Sequence, residues 1–232
     1  MINEIHEMTK EWLEVPPLPE VQEIKAEYNV IKDVWNDFIN SIKEYTNSVQ
    51  ESREIVEARE YGVKECADVA KECFTPDVIR EWGQMSMGER DRVIQEYANG
   101  IGKAMGINFK GIVWELFPIE NGMYTYGYNA GDGYVHLNVD MLADPGQLMH
   151  VVDTVAHEAR HQLQMETIEN PSKFPIDEAT IKEWVVGRDN YTLDMPSAYD
   201  PWGYTYNPME MDARYFGETM VRELTKDIIN NA

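Results

Sequence analysis

The chain has 232 residues, of which 43% are hydrophobic and 27% charged. That balance supplies a sizeable core and excludes a disordered chain. The 42 Asp and Glu against 20 Lys and Arg leave a formal net charge of −22, which repels phosphates and so argues against nucleic acid and anionic membranes as partners.

Met1 to Glu7 form neither a basic nor an apolar leader region. The sequence therefore predicts no signal peptide and a cytoplasmic location, with a non-classical export route left open. No apolar run approaches the roughly 20 residues that a membrane helix needs.

The first stretch, to about residue 107, reads as helical. Pro16, Pro17 and Pro19 end an N-terminal arm. Ile24, Tyr28, Ile31, Trp35, Phe38, Ile42 and Tyr45 then recur at steps of three and four, the stripe of an amphipathic helix. A second helix carries Ile55, Val56, Val63, Val69 and Ala70. It also holds Cys66 and Cys73, whose spacing sets them roughly 10 Å apart along the axis, too far for a disulfide. Thr75 before Pro76 is an N-cap with proline at the first helical position. Ser86 to Glu89 fits a capping box that opens a helix through Val93, Tyr97 and Ile101, with Gly106 as its stop. These stripes read as helix packing, with a docking face for a protein partner as the alternative.

From about 108 to 142 the period changes. Gly111 to Phe117 and Met123 to Tyr128 read as strands, and Asn129 to Gly133 as a turn. Tyr134 to Val139 alternates, with Val135, Leu137 and Val139 on one face and Tyr134, His136 and Asn138 on the other. A short Gly-rich loop between two runs predicts a hairpin, and the sheet is expected to be small and antiparallel. From Pro145 onward the chain is helical again. The expected organisation is a helical N-terminal region, 1–83, and a main domain, 84–232, joined as one compact unit of α+β class.

The chemistry is concentrated at His157-Glu158-Ala159-Arg160-His161. Histidines at i and i+4 share one helix face a turn apart, so both imidazoles can reach a single zinc ion. Glu158, between them, can reach a metal-bound water without being a ligand and is the natural general base. Val151, Val152, Val155, Ala156, Ala159 and Leu163 supply the buried face of that helix. A catalytic zinc takes three protein ligands, and no histidine follows His161, so the third must be a carboxylate. Glu210, in the first turn after Asn207 and Pro208, is the choice, although a first-turn Glu also suits a capping box and the helix dipole. Asp212 points elsewhere on the helix and either orients a ligand histidine or is solvated. Asp153, one turn before His157, is a weaker candidate of the same kind, with solvated surface the more expected role. The group expected to stabilise the oxyanion is one of the tyrosines between the ligands, Tyr204 or Tyr206, with Tyr206 the choice. His150 is the other option.

The His157-Glu158-x-x-His161 pair with Glu210 on a later helix resembles the gluzincin-type zinc metallopeptidases. The wider pattern looks like the zincin-like domains of bacterial phage-related and toxin-like proteins: trailing Gln162 and Gln164, the tyrosines 191, 199, 204 and 206, then Pro208-Met209-Glu210-Met211-Asp212-Ala213. The resemblance covers about residues 84 to 225. The thermolysin-like signature has Asp four residues after the ligand Glu, where this chain has Arg214. The resemblance implies a zincin-like fold, one zinc per chain, and a peptide lying antiparallel to an edge strand, matched here by Tyr134, His136 and Asn138. The expected function is zinc-dependent hydrolysis of a peptide or protein substrate. The alternative is a phage- or toxin-associated interaction protein whose zincin-like metal site is incidental or inactive, with its partner held by the N-terminal helices.

Overall fold

The computed structural model describes residues 59–119, 124–190, 204 and 206–231. The chain divides into two units, Met1–Gln50 and Glu51–Ala232, and every described residue belongs to the second. The expected helix over 24–45 and the N-terminal arm lie outside the described residues.

Helix ends form where the caps are written. The first described helix, α1 (Val63–Cys73), buries Cys66, Ala67 and Ala70, and Cys66 and Cys73 are free thiols. Thr75 caps α2 (Pro76–Glu81) by accepting from the Val78 amide. Ser86 and Glu89 complete both bonds of the capping box at α3 (Met87–Met105), and Gly106 ends it in the left-handed conformation at φ 70°.

Three short strands follow: β1 (Gly111–Glu115), β2 (Gly127–Asn129) and β3 (Tyr134–Asn138). The sheet order is β1-β3-β2. The hairpin makes β2 antiparallel to β3, but β1 pairs parallel with β3, Gly111 opposite Tyr134 through Glu115 opposite Asn138. The sheet is therefore mixed, not antiparallel as the sequence suggested. Alternation identifies strands but not their neighbours; here the chain leaves β1 and returns on the far side of β3. As a consequence β3 is the central strand, bonded on both sides. Tyr134, His136 and Asn138 therefore do not form a free edge for a substrate, and among the described residues the edges belong to β1 and β2.

A short helix, α4 (Val139–Ala143), capped by Asn138, leads through a 3-10 turn at Pro145–Gln147 into the long helix α5 (Leu148–Glu169). The helix α6 (Glu178–Asp189) is capped by Asp177, and α7 (Pro208–Asn231) closes the fold. Helix α5 lies at the centre. It packs on α7, α3, α6, β2 and β3, and the six apolar positions read from the sequence, Val151, Val152, Val155, Ala156, Ala159 and Leu163, are all 0% exposed. Such a helix is held by tertiary packing, since each fully buried Val or Leu contributes about 1.5–3 kcal/mol. Gly127 is where β2 meets α5. A Cβ there would lie 2.7 Å from the His136 carbonyl oxygen and 3.0 Å from Thr154 Cγ2, so only glycine lets the strand fit between β3 and the helix. Among the described residues no helix is long and apolar enough to cross a membrane.

On the outer face of the sheet, His136 has a carboxylate at each ring nitrogen: Glu115 Oε1 at 2.7 Å from Nδ1 and Asp132 Oδ2 at 3.3 Å from Nε2. Tyr128 stacks on the ring at 4.7 Å. Only the doubly protonated ring can donate to both acceptors. Burial works against the charged ring, but hydrogen bonds to Glu115 and Asp132 outweigh it, so the pKa is raised. A raised folded pKa contributes stability that is complete below the unfolded value of about 6.5 and is lost as pH rises through the folded value. The melting-temperature advantage of the native chain over His136→Gln should therefore shrink as pH rises from about 6 to about 9. An advantage that grows with pH would contradict this reading of His136.

Candidate metal centre

Helices α5 and α7 build the centre. His157 and His161 sit one turn apart on α5. Asn207 anchors the start of α7: its Oδ1 accepts from the Met209 amide at 2.9 Å and its Nδ2 donates to the Gly187 carbonyl of α6 at 2.9 Å. That anchoring places Glu210 in the first turn of α7, where it is 0% exposed. The two helices approach closely at Gly217, where a Cβ would lie 2.3 Å from Asp153 Oδ1 and 2.9 Å from the Asp153 carbonyl oxygen. The missing side chain is what allows α7 to come this near to α5.

The donor atoms of His157, His161 and Glu210 all lie within 4.8 Å of one another, and the three residues could hold a metal ion. The two Nε2 atoms are 3.1 Å apart. Glu210 Oε1 is 3.2 Å from His161 Nε2, and Glu210 Oε2 is 3.5 Å from His157 Nε2. Ligands held tetrahedrally about 2.0–2.1 Å from a central ion are separated by about 3.3–3.4 Å, so the triangle has the right size. Two nitrogens and one carboxylate oxygen are also a donor set that leaves a fourth position open. Burial raises the Glu210 carboxyl, but the two imidazoles hydrogen-bonded to it dominate and hold it well below the ordinary carboxylate range. Burial lowers the His161 imidazolium, and the Glu210 carboxylate reverses this, holding it at about 9. The centre favours positive charge, and a metal binding there must displace a proton.

His161 is oriented from behind. Its Nδ1 lies 2.8 Å from Gln164 Oε1, which fixes the proton on Nδ1 and leaves the Nε2 lone pair facing the centre. Gln164 Nε2 donates to Asp212 Oδ2 at 2.7 Å and to the Met209 carbonyl at 3.0 Å. Asp212 in turn takes a two-pronged bond from Arg160, Nε at 2.8 Å and Nη2 at 3.0 Å. Arg160 also donates from Nη1 to the Tyr61 carbonyl at 3.0 Å, and its guanidinium stands over Phe216 and Trp184. Asp212 is thus buried and bonded to neither His157 nor His161; it reaches His161 through Gln164.

The remaining residues fall into place around this core. Glu158 is 7% exposed, and its charge acts on both His161 and Tyr204. Tyr204 keeps 41% of its surface exposed, yet its hydroxyl is hydrogen-bonded to Glu210; burial and that carboxylate raise its pKa. Tyr206 is 51% exposed. His150 stacks on Tyr126 at 5.1 Å, and burial lowers its pKa. Asp153 is half-buried: its Oδ1 is enclosed without a hydrogen bond, and burial first, then the charge of Glu158, raises its pKa to about 6. Glu218, on α7, is raised to about 7 by burial and by Asp153.

Sequence reasoning missed the roles of Gln164 and Arg160. Both left a signal. Gln164 is three residues from His161 and so shares its face. Arg160 shares a helix face with Ala156 and Leu163 of the apolar stripe, and a charged group on a buried face needs a counter-charge. Comparison with protein-family models, with curated proteins and with solved structures finds no match to this chain.

Proposed function

We propose that the chain is a zinc-dependent peptidase whose ligands are His157, His161 and Glu210. The observation that carries the reading is the triangle of two Nε2 atoms and a buried carboxylate, with sides of 3.1, 3.2 and 3.5 Å, beside an additional enclosed carboxylate, Glu158. Zinc bound by these residues supplies a Lewis acid that polarises a carbonyl and acidifies water.

The chain's own residues do the rest. Glu158 accepts a proton from the attacking water and delivers it to the leaving amine. The Tyr204 hydroxyl, whose one proton is donated to Glu210 in the structure, turns that proton to the oxyanion that develops on the scissile carbonyl. Gln164, braced by Asp212 and Arg160, keeps the His161 ring in one tautomer. Strand β2 is the sheet edge beside α5, with Asn129 donating to the Glu158 carbonyl at 3.0 Å. It takes the place assigned to β3 as the edge along which an extended peptide pairs.

The test is cleavage of a diverse peptide library by the zinc-loaded chain and by its Glu158→Gln variant. Cleavage by the native chain, blocked by a chelator and absent in the variant, supports the reading. A zinc-loaded native chain that cleaves nothing in the library contradicts it.

A further inference from the structure

We propose that Asp153 is the positioning residue of His157, accepting its Nδ1 proton and thereby aiming its Nε2 lone pair at the metal. The proposal rests on the reading of His157, His161 and Glu210 as ligands.

The two histidines are supported unequally. His161 Nδ1 has Gln164 at 2.8 Å, whereas among the described residues His157 Nδ1 makes no corresponding bond. A ligand histidine ordinarily donates its second N–H to a carboxylate or carbonyl that sets its tautomer and its ring orientation. Asp153 lies one turn before His157 on the same face of α5, a spacing that puts the two Cβ atoms about 5–6 Å apart. Its Oδ1 is shut off from solvent and has no hydrogen bond, pressed against α7 at Gly217. An enclosed carboxylate oxygen with no donor is costly and needs an explanation. His157 is the foremost of the positive charges acting on Asp153, ahead of Arg214, while Glu158 opposes them. Glu218 is the rival carboxylate, but it stands on the other helix and feels Asp153, Arg214 and Arg222 more strongly than His157. An enclosed acceptor one turn before a ring whose Nδ1 has no acceptor of its own among the described residues accounts for these observations together.

A positioning role and a merely structural role differ in sign. If Asp153 only held the fold, its loss would weaken the metal-free chain and the metal site together. As an unsatisfied carboxylate kept for His157, it should destabilise the metal-free chain and strengthen the site. The experiment is competition for zinc between the chain and a chromophoric chelator, alongside thermal unfolding of the metal-free proteins. Asp153→Ala should bind zinc about 10–100-fold more weakly, and Asp153→Asn, which keeps an accepting oxygen, should lose less. Glu218→Gln should stay within about twofold of the native chain, because it does not touch the ring. The metal-free Asp153→Asn chain should unfold at the native temperature or above it. Native affinity in Asp153→Ala, an equal loss in Glu218→Gln, or a lowered unfolding temperature in metal-free Asp153→Asn overturns the proposal. A native chain that takes up no zinc overturns the ligand reading as well, so the two failures are distinct.

Discussion

Glu158→Gln should retain its metal and lose hydrolysis. The amide has nearly the shape of the carboxylate, so it keeps the packing of a side chain that is 7% exposed. It cannot accept the proton of the attacking water, and a positioned general base is typically worth 10²–10⁴ in rate. Nor is Glu158 one of the three residues whose donor atoms converge, so zinc content should be unchanged. The check is kcat/KM on a cleaved peptide together with zinc per chain. Substantial residual hydrolysis would remove Glu158 from the role of base, and loss of zinc would make it a ligand instead.

Asp212→Ala should have the largest effect on stability. It removes the carboxylate that takes both prongs of Arg160, a residue 0% exposed, and it strips Gln164 Nε2 of its 2.7 Å acceptor. Breaking a buried ion pair by deleting one partner costs about 3–5 kcal/mol, because the remaining charge stays in a poorly solvating site. Denaturant unfolding of the metal-free chain measures this directly. The double variant Arg160→Met with Asp212→Leu should recover much of the loss, since a well-packed apolar pair is often as stable as the buried ion pair it replaces. An Asp212→Ala chain within about 1 kcal/mol of native stability would show that the pair is not buried as described. Any fall in metal affinity is secondary here and passes through Gln164 and His161.

The legible parts of the structure were those governed by local geometry. The capping box at Ser86 and the stop at Gly106 concern only neighbouring residues, and both form as written. The pairing of His157 with His161 follows from the helical repeat, and the apolar stripe of α5 follows from the same repeat. That Glu210 meets the two histidines follows from the search for a nearby carboxylate, although its capping alternative has the same spacing. What failed depends on the partner across a gap. Nothing in Tyr134 to Asn138 says that β1 will lie beside it in parallel, so the strand was taken for an edge. Asp153 looks like surface on its own helix, and α7, brought close at Gly217, encloses its Oδ1. For Asp212 the sequence leaves two roles open, orienting a histidine or facing solvent, and the structure buries it against Gln164 and Arg160. The intermediary, Gln164, and the counter-charge, Arg160, only become visible once α5 and α7 are packed. Tyr204 and Tyr206 are indistinguishable in sequence, and the hydrogen bond of Tyr204 to Glu210 depends on the packing of α7.

Calorimetric titration of zinc into the metal-free native chain and its Glu210→Gln variant tests the central claim most directly. Glu210 supplies the only anionic donor of the converging group. The native chain should bind one zinc, and the variant should bind it more weakly by more than the roughly 10–100-fold that supporting residues around a metal are worth. No zinc uptake by the native chain, or equal affinity in the two proteins, would contradict the account.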